Sequence, residues 1–261
     1  MCEMIKLPFG TYQSYELFIN VGTVAGMAVF LFFLWKARGT GGKDILAALP
    51  ALVTVMFVGS YFGTLVRQLG YMDFQDLKEL SDHVVRHLGT HFIGRVLAAA
   101  LFYPLIYRLF SRVLRTEVTK EKMATVLDSL SFFIVIQHFF NRLSCLMAGC
   151  CYGKPYNGPG AIRFPDSVEV QYPVFPSQIF EMAAMAVMLL LLVRIHRKGR
   201  HLFGILLLGF GTVIFISELF MDQRGYLQIL GVNFIQITAL LLCMISLFYF
   251  RRYSGHTSEQ K

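Results

Sequence analysis

A chain of 261 residues that is 56% hydrophobic and only 15% charged, with 25 Phe and a mean hydropathy of +0.57, is far more apolar than an ordinary soluble domain. Its formal net charge of +8 falls in short basic clusters between apolar runs, which excludes an exposed basic domain and a nucleic-acid partner. The expected class is all-α: a polytopic membrane helix bundle forming one integral domain over 1–261.

The first apolar run, about 16–35, is long enough to cross a bilayer with some tilt and is followed by Lys36, Arg38 and Lys43. Residues 1–14 contain Glu3 and Pro8 and lack a basic start followed by an apolar core, so no cleavable signal peptide is expected there. The second run, about 45–69, contains Pro50, Gly59 and Gly63, which neighbouring helices tolerate in a membrane. Residues 70–90 are polar and read as a surface loop with room for a short interfacial helix. The third run, about 91–109, opens with His91 and Arg95 one turn apart on one face, and leads into Arg108, Arg112, Arg115, Lys120 and Lys122.

The fourth run, about 127–149, carries the densest chemistry in the chain. His138, Arg142, Cys145 and Gly149 follow at steps of four, three and four, so they share a helical face with Asn141 beside them. If the run ends near Gly149 to Gly153, Arg142 lies roughly 10 to 16 Å inside that end at ~1.5 Å per residue. An arginine at such depth in a ~30 Å hydrocarbon core costs a few kcal/mol on insertion scales, so it must face protein, water or a ligand anion. A Gly- and Pro-rich connection follows, dense in turns. The fifth run, about 176–195, begins with Gln178 and Glu181 and ends in Arg194, Arg197, Lys198 and Arg200. The sixth, about 202–221, has Glu218 near its end and Arg224 just beyond. The seventh, about 232–250, ends in Arg251 and Arg252.

Fifteen of the 24 Lys and Arg lie after the odd-numbered runs: the eight after runs one and three, the four after run five, and Arg251, Arg252 and Lys261. The positive-inside rule makes that side cytoplasmic and, with seven spans, puts the N-terminus outside. His91, Arg95, Arg142, Cys145, Gln178, Glu181 and Glu218 then all sit within roughly three turns, ~16 Å, of the outer surface. Polar groups at one depth on four helices imply a common cavity open to the outer leaflet. Two arginines with nearby carboxylates suit an anionic phospholipid headgroup, since the guanidinium fork matches phosphate oxygens. His91 or His138 is placed to shuttle a proton near neutral pH.

The motifs resemble a known family. FNRLSCLMAGCCYGKP, residues 140–155, is similar to the glycine-rich signature of bacterial prolipoprotein diacylglyceryl transferases. VFPSQIFE, residues 174–181, resembles that family's HPTQLYE-type segment, with Pro176, Gln178 and Glu181 matching. GTHFIGR, Gly89 to Arg95, resembles the family's His-Gly-Gly helix start loosely, with His91 displaced by one position when Gly94 is matched to the glycine that follows. The likeness runs from about residue 89 to 250.

The resemblance implies a multi-pass enzyme of the bacterial cytoplasmic membrane with no cofactor. Such an enzyme moves a diacylglyceryl group from phosphatidylglycerol to the lipobox cysteine of a prolipoprotein signal sequence and releases glycerol phosphate. By carry-over, Arg142, His91 and Glu218 would be catalytic, with Arg142 on the phosphate and Gly153 shaping the turn beneath it. Arg95, His138, Asn141, Cys145, Cys150, Gln178, Glu181 and Arg224 would surround the substrate. The chain departs from the pattern at several places. Cys145 stands where the family commonly has an asparagine and Cys150 where many members have a glutamate. Ile214 and Met221 stand where arginines flank the matched glutamate, and Val21 stands near the place of an early tyrosine. Arg95 and Arg224 are the cations available to replace the missing charge. A lipid-binding or transport protein on the same scaffold is the alternative reading.

Five cysteines, Cys2, Cys145, Cys150, Cys151 and Cys243, form no spaced disulfide framework. Cys145, Cys150 and Cys151 at one helix end suit packing, a thiol-disulfide site or a reactive thiolate beside Arg142. No metal is expected, because three sulfurs fall short of a four-ligand set.

Overall fold

The computed structural model describes residues 4–7, 10–37, 39–68, 92–164, 172–196, 202–221, 228–229 and 231–253. Seven helices carry most of them: α1 (Ser14–Lys36), α2 (Gly42–Gln68), α3 (Phe92–Val113), α4 (Lys120–Ala148), α5 (Ser177–His196), α6 (Phe203–Phe220) and α7 (Phe234–Tyr253). All seven are long and apolar enough to cross a membrane. Their bounds follow the apolar runs within a few residues, except that α4 starts near Lys120 where hydropathy marks about 127. Thr119 explains the difference: its hydroxyl accepts a hydrogen bond from the Lys122 amide at 3.2 Å, capping a polar first turn that carries Glu121. Hydropathy detects the apolar run, not the capped turn in front of it.

Two short antiparallel hairpins add to the all-helical expectation. β1 (Met4–Leu7) pairs with β2 (Gly10–Gln13), and β3 (Gln228–Ile229) pairs with β4 (Val232–Asn233) around Gly231 at φ +77°. Strands of two to four residues leave too little alternation to be read from sequence. The 70–90 loop lies outside the described residues. The connection from α4 to α5 is more than a tether: Ile162 and Pro155 both bridge Val174, and Phe164 and Val174 bury a small core with Tyr152 and Ile162 against it.

Helix α4 is the axis of the bundle and the most buried span. Along it packs α1, with Gly26 against Phe133 and Gly22 against Phe140. Helices α2 and α3 approach so closely that a Cβ on Gly59 would fall 2.5 Å from the Arg95 Cα and one on Gly94 2.7 Å from the Gly59 carbonyl oxygen. Small residues let the two backbones meet, the usual solution where lipid supplies no hydrophobic drive between helices. Buried polar tips find partners on neighbouring backbones: Tyr103 Oη donates to Ala48 O at 3.1 Å and Tyr249 Oη to Ala100 O at 2.8 Å. Asp128 of α4 caps α6 across the bundle, accepting from the Leu202 and Phe203 amides at 2.7 and 3.3 Å.

Candidate functional site

Helix polarity gathers the first turns of α1, α3, α5 and α7 with the last turns of α4 and α6 at one end of the bundle. There a cavity of about 310 Å³ opens, its polar wall formed by His138, Asn141, Arg142, Glu218, Tyr15 and the three clustered cysteines. Phe92, Ile93, Ile214, Met221 and Ile235 supply the apolar wall.

Behind the cavity sits Glu181, 1% exposed. One of its oxygens, Oε2, accepts from Arg142 Nε at 2.6 Å and faces His138 Nε2 at 2.8 Å, while Oε1 accepts from Ser217 Oγ at 2.6 Å. An ionised carboxylate only accepts, so His138 presents Nε2–H to it, and the buried Nδ1 has no partner among the described residues. Such a cluster keeps a buried charge because three donors on two helices, one of them a guanidinium, converge on the carboxylate. Arg142 reaches the cavity from this anchor. Its Nε is committed to Glu181, and among the described residues no hydrogen bond uses its two terminal NH₂ groups.

A tight turn closes the end of α4. Gly149 ends the helix at φ +70°, and the Cys150 amide donates back to Cys145 O at 3.0 Å. From α5, Gln178 Nε2 donates to Cys150 O at 2.6 Å and Ser177 Oγ to Cys151 O at 2.7 Å. Gly153 bridges Met221 and donates its amide to Phe175 O at 3.0 Å, and a Cβ there would meet Phe175 Cβ and Phe220 O at 2.7 Å. The Cys150 thiol is pulled down by its hydrogen bond with Cys145. The bond with Cys151, burial and the Cys151 charge outweigh that and push it up to about 12.

Of the residues singled out from sequence, Arg142, His138, Asn141, Cys145, Cys150 and Glu218 line this one cavity. Gln178, Glu181 and Gly153 lie behind its wall and in the turn, holding others in place. Arg95 is on the adjoining face, its Nε donating to Ser60 Oγ at 2.6 Å. His91 and Arg224 lie outside the described residues. Sequence reasoning missed Tyr15, which lines the cavity six positions before Val21, the residue near the place of the family's tyrosine. Its signal was available: an aromatic hydroxyl at the start of the first span, on the same side as the polar ends of the others. It also missed Ser217 and Asn233, whose Nδ2 donates to Glu218 Oε2 at 2.8 Å.

The fold and site define a class, a multi-pass helical membrane protein with a cationic, carboxylate-anchored cavity at one end of the bundle. The family model for prolipoprotein diacylglyceryl transferase matches residues 3–252, and the chain belongs to that family, whose substrates are phosphatidylglycerol and prolipoprotein. It is 27% identical over 249 residues to the phosphatidylglycerol–prolipoprotein diacylglyceryl transferase of Clostridium tetani, covering 91% of both chains. The enzyme of the same name from Rhodospirillum centenum is 26% identical over 247 residues, covering 86% of this chain and 83% of the relative.

Proposed function

We propose that the chain is a phospholipid-dependent transferase, taking the diacylglyceryl group of phosphatidylglycerol from the outer leaflet and passing it to the lipobox cysteine of a prolipoprotein. The single observation that carries this reading is Arg142, held by Nε on buried Glu181 with its terminal NH₂ groups on the cavity side, a fork for two phosphate oxygens. In the reaction the acceptor sulfur bonds to the glyceryl carbon and that carbon's bond to the phosphate oxygen breaks. Glycerol phosphate departs against Arg142, and the thiol proton passes to Glu218. His91 enters only through the resemblance, as does Arg224. Glu181, with Ser217 and His138, positions Arg142. Family membership supports the same assignment.

The same reading places the whole chain as one membrane domain with the N-terminus outside and the C-terminus in the cytoplasm. Lys36, Arg108, Arg112, Lys122, Arg194 and Arg252 lie at the helix ends remote from the cavity, as the positive-inside rule requires of a cytoplasmic side. Single cysteines at Asn157 should be labelled by impermeant reagents from outside and ones at Gly199 should not; the reverse pattern inverts the orientation.

A second reading has an observation of its own. Ile214 and Met221, at the places of two family arginines, are among the apolar residues lining the cavity, which lowers the positive charge available to a leaving phosphate. A phospholipid-binding protein without transfer chemistry would tolerate that loss. Vesicles containing headgroup-labelled phosphatidylglycerol and the purified protein, with and without a lipobox peptide, separate the two. Glycerol phosphate released only with peptide supports transfer, and binding without release supports the second reading.

A further inference from the structure

The sulfurs of Cys145, Cys150 and Cys151 all lie within 4.8 Å of one another at the end of α4. Three thiolates around zinc, at ~2.3 Å each in tetrahedral geometry, are separated by about 3.8 Å, so the sulfurs stand within about 1 Å of that spacing. Packing does not account for the trio. Cys145 is buried, but Cys151 is exposed and adopts φ +58°, a left-handed conformation that a non-glycine residue takes at an energetic penalty. Its sulfur nonetheless lies within 4.8 Å of the Cys145 sulfur. The backbone of the turn is fixed independently, by Ser177 on Cys151 O and Gln178 on Cys150 O. Such support is what holds metal ligands in register before a metal arrives.

We propose that Cys145, Cys150 and Cys151 form a three-thiolate site for zinc, with the fourth coordination position open to the cavity. Counting ligands along the sequence made three sulfurs look one short. Zinc sites that keep an exchangeable position need only three protein ligands, and all three cysteines line the cavity where a fourth ligand would come from. Thiolates select a borderline-soft cation over magnesium or calcium, which take oxygen ligands. Binding exchanges three thiol protons for one Zn²⁺, leaving a site of net charge −1. Arg142, three residues before Cys145 on the same helix and lining the same cavity, lies beside that charge with its own already shared with Glu181. The open position would take water or the sulfur of an incoming thiol. This site does not depend on the transferase reading, and its binding test uses metal alone.

The test uses the full chain in detergent, reduced with a phosphine without oxygen and given zinc chloride only. One zinc per chain should survive gel filtration. Cobalt(II) in its place should give a sulfur-to-metal charge-transfer band in the near ultraviolet. The Cys2→Ser/Cys243→Ser double variant should keep both properties. On that background Cys145→Ser, Cys150→Ser and Cys151→Ser should each weaken binding about tenfold or more. Adding a simple alkanethiol should shift the cobalt spectrum as sulfur enters the fourth position. The wild-type result decides without any variant having to fold: no retained zinc, or no charge-transfer band, overturns the site. Binding that disappears in the Cys2→Ser/Cys243→Ser protein also overturns it, as does a Cys150–Cys151 disulfide persisting in intact mass under these reducing conditions. A cobalt spectrum indifferent to added thiol overturns the open position.

Discussion

Two buried carboxylates, one at each end of the bundle, pair with a cation in different ways. At the basic end, Asp44 accepts from Lys122 Nζ at 3.2 and 3.3 Å, from the Gly41 amide at 2.8 Å and from Tyr107 Oη at 3.5 Å, which ties α2, α3 and α4 together. The Lys122 side chain is 24% exposed, so its charge remains partly in water. At the cavity end, Glu181 holds Arg142 by one nitrogen only and leaves the rest of the guanidinium facing the cavity. The first arrangement is a clamp whose members are used up by one another. The second presents a cation, because a planar guanidinium can be anchored and still bind, which an ammonium does less well.

The largest effect that separates the two is expected at Glu181. Removing the buried Glu181 strands an Arg142 whose side chain is 14% exposed, so Glu181→Ala should destabilise the protein by about 2–4 kcal/mol, somewhat less than for a pair with both members buried, and also abolish phospholipid binding. Denaturant unfolding in detergent and a lipid-binding assay measure both. Asp44→Ala should lower stability while the remaining folded protein binds lipid normally. If it removes lipid binding as well, the distinction between clamp and presenter fails.

Next comes Arg142→Lys. The charge stays but the fork is lost, so phospholipid binding or turnover should fall by about 10- to 200-fold, equivalent to one charge-assisted hydrogen bond of ~1.5–3 kcal/mol, with insertion unchanged. Near-normal values for both would make Arg142 a structural ion pair like its counterpart at the other end.

Lys122→Ala should cost about 1 kcal/mol or less, because a partly exposed pair is screened, and should leave turnover within about twofold. A larger loss of turnover than of stability would tie the basic end to the chemistry.

The smallest effect concerns the cavity-end thiols. In metal-free protein, Cys150 with a pKa of about 12 is neutral at pH 8, and alkylation proceeds through the thiolate. Its rate, followed by site-resolved mass spectrometry, should keep rising about tenfold per pH unit from pH 8 to 10. A plateau near pH 9 would show an ordinary, solvated thiol.

Much of this organisation was legible in the chain. Seven apolar runs, the helical register of His138, Arg142 and Cys145, and the basic residues between runs are all local properties, because hydrophobic burial and helix period act over neighbouring residues. The short hairpins escaped because they carry too few residues to show a period. The start of α4 escaped because a threonine cap, not hydropathy, sets it.

Which groups touch was decided only in three dimensions. Arg142 had two carboxylates at its depth, and only the packing of α5 against α4 selects Glu181, thirty-nine residues away, while Glu218 is engaged by Asn233. Tyr15 reaches the cavity because glycines 22 and 26 let α1 lie against α4, a contact between surfaces that no single run encodes. The three cysteines could be counted from the sequence, but their convergence depends on a left-handed turn pinned from α5 by Ser177 and Gln178. Sequence settles which segments leave water, since that is an energy summed along the chain. Pairing inside the bundle is settled by shape and by the need to satisfy each buried charge, and both depend on partners distant in the chain.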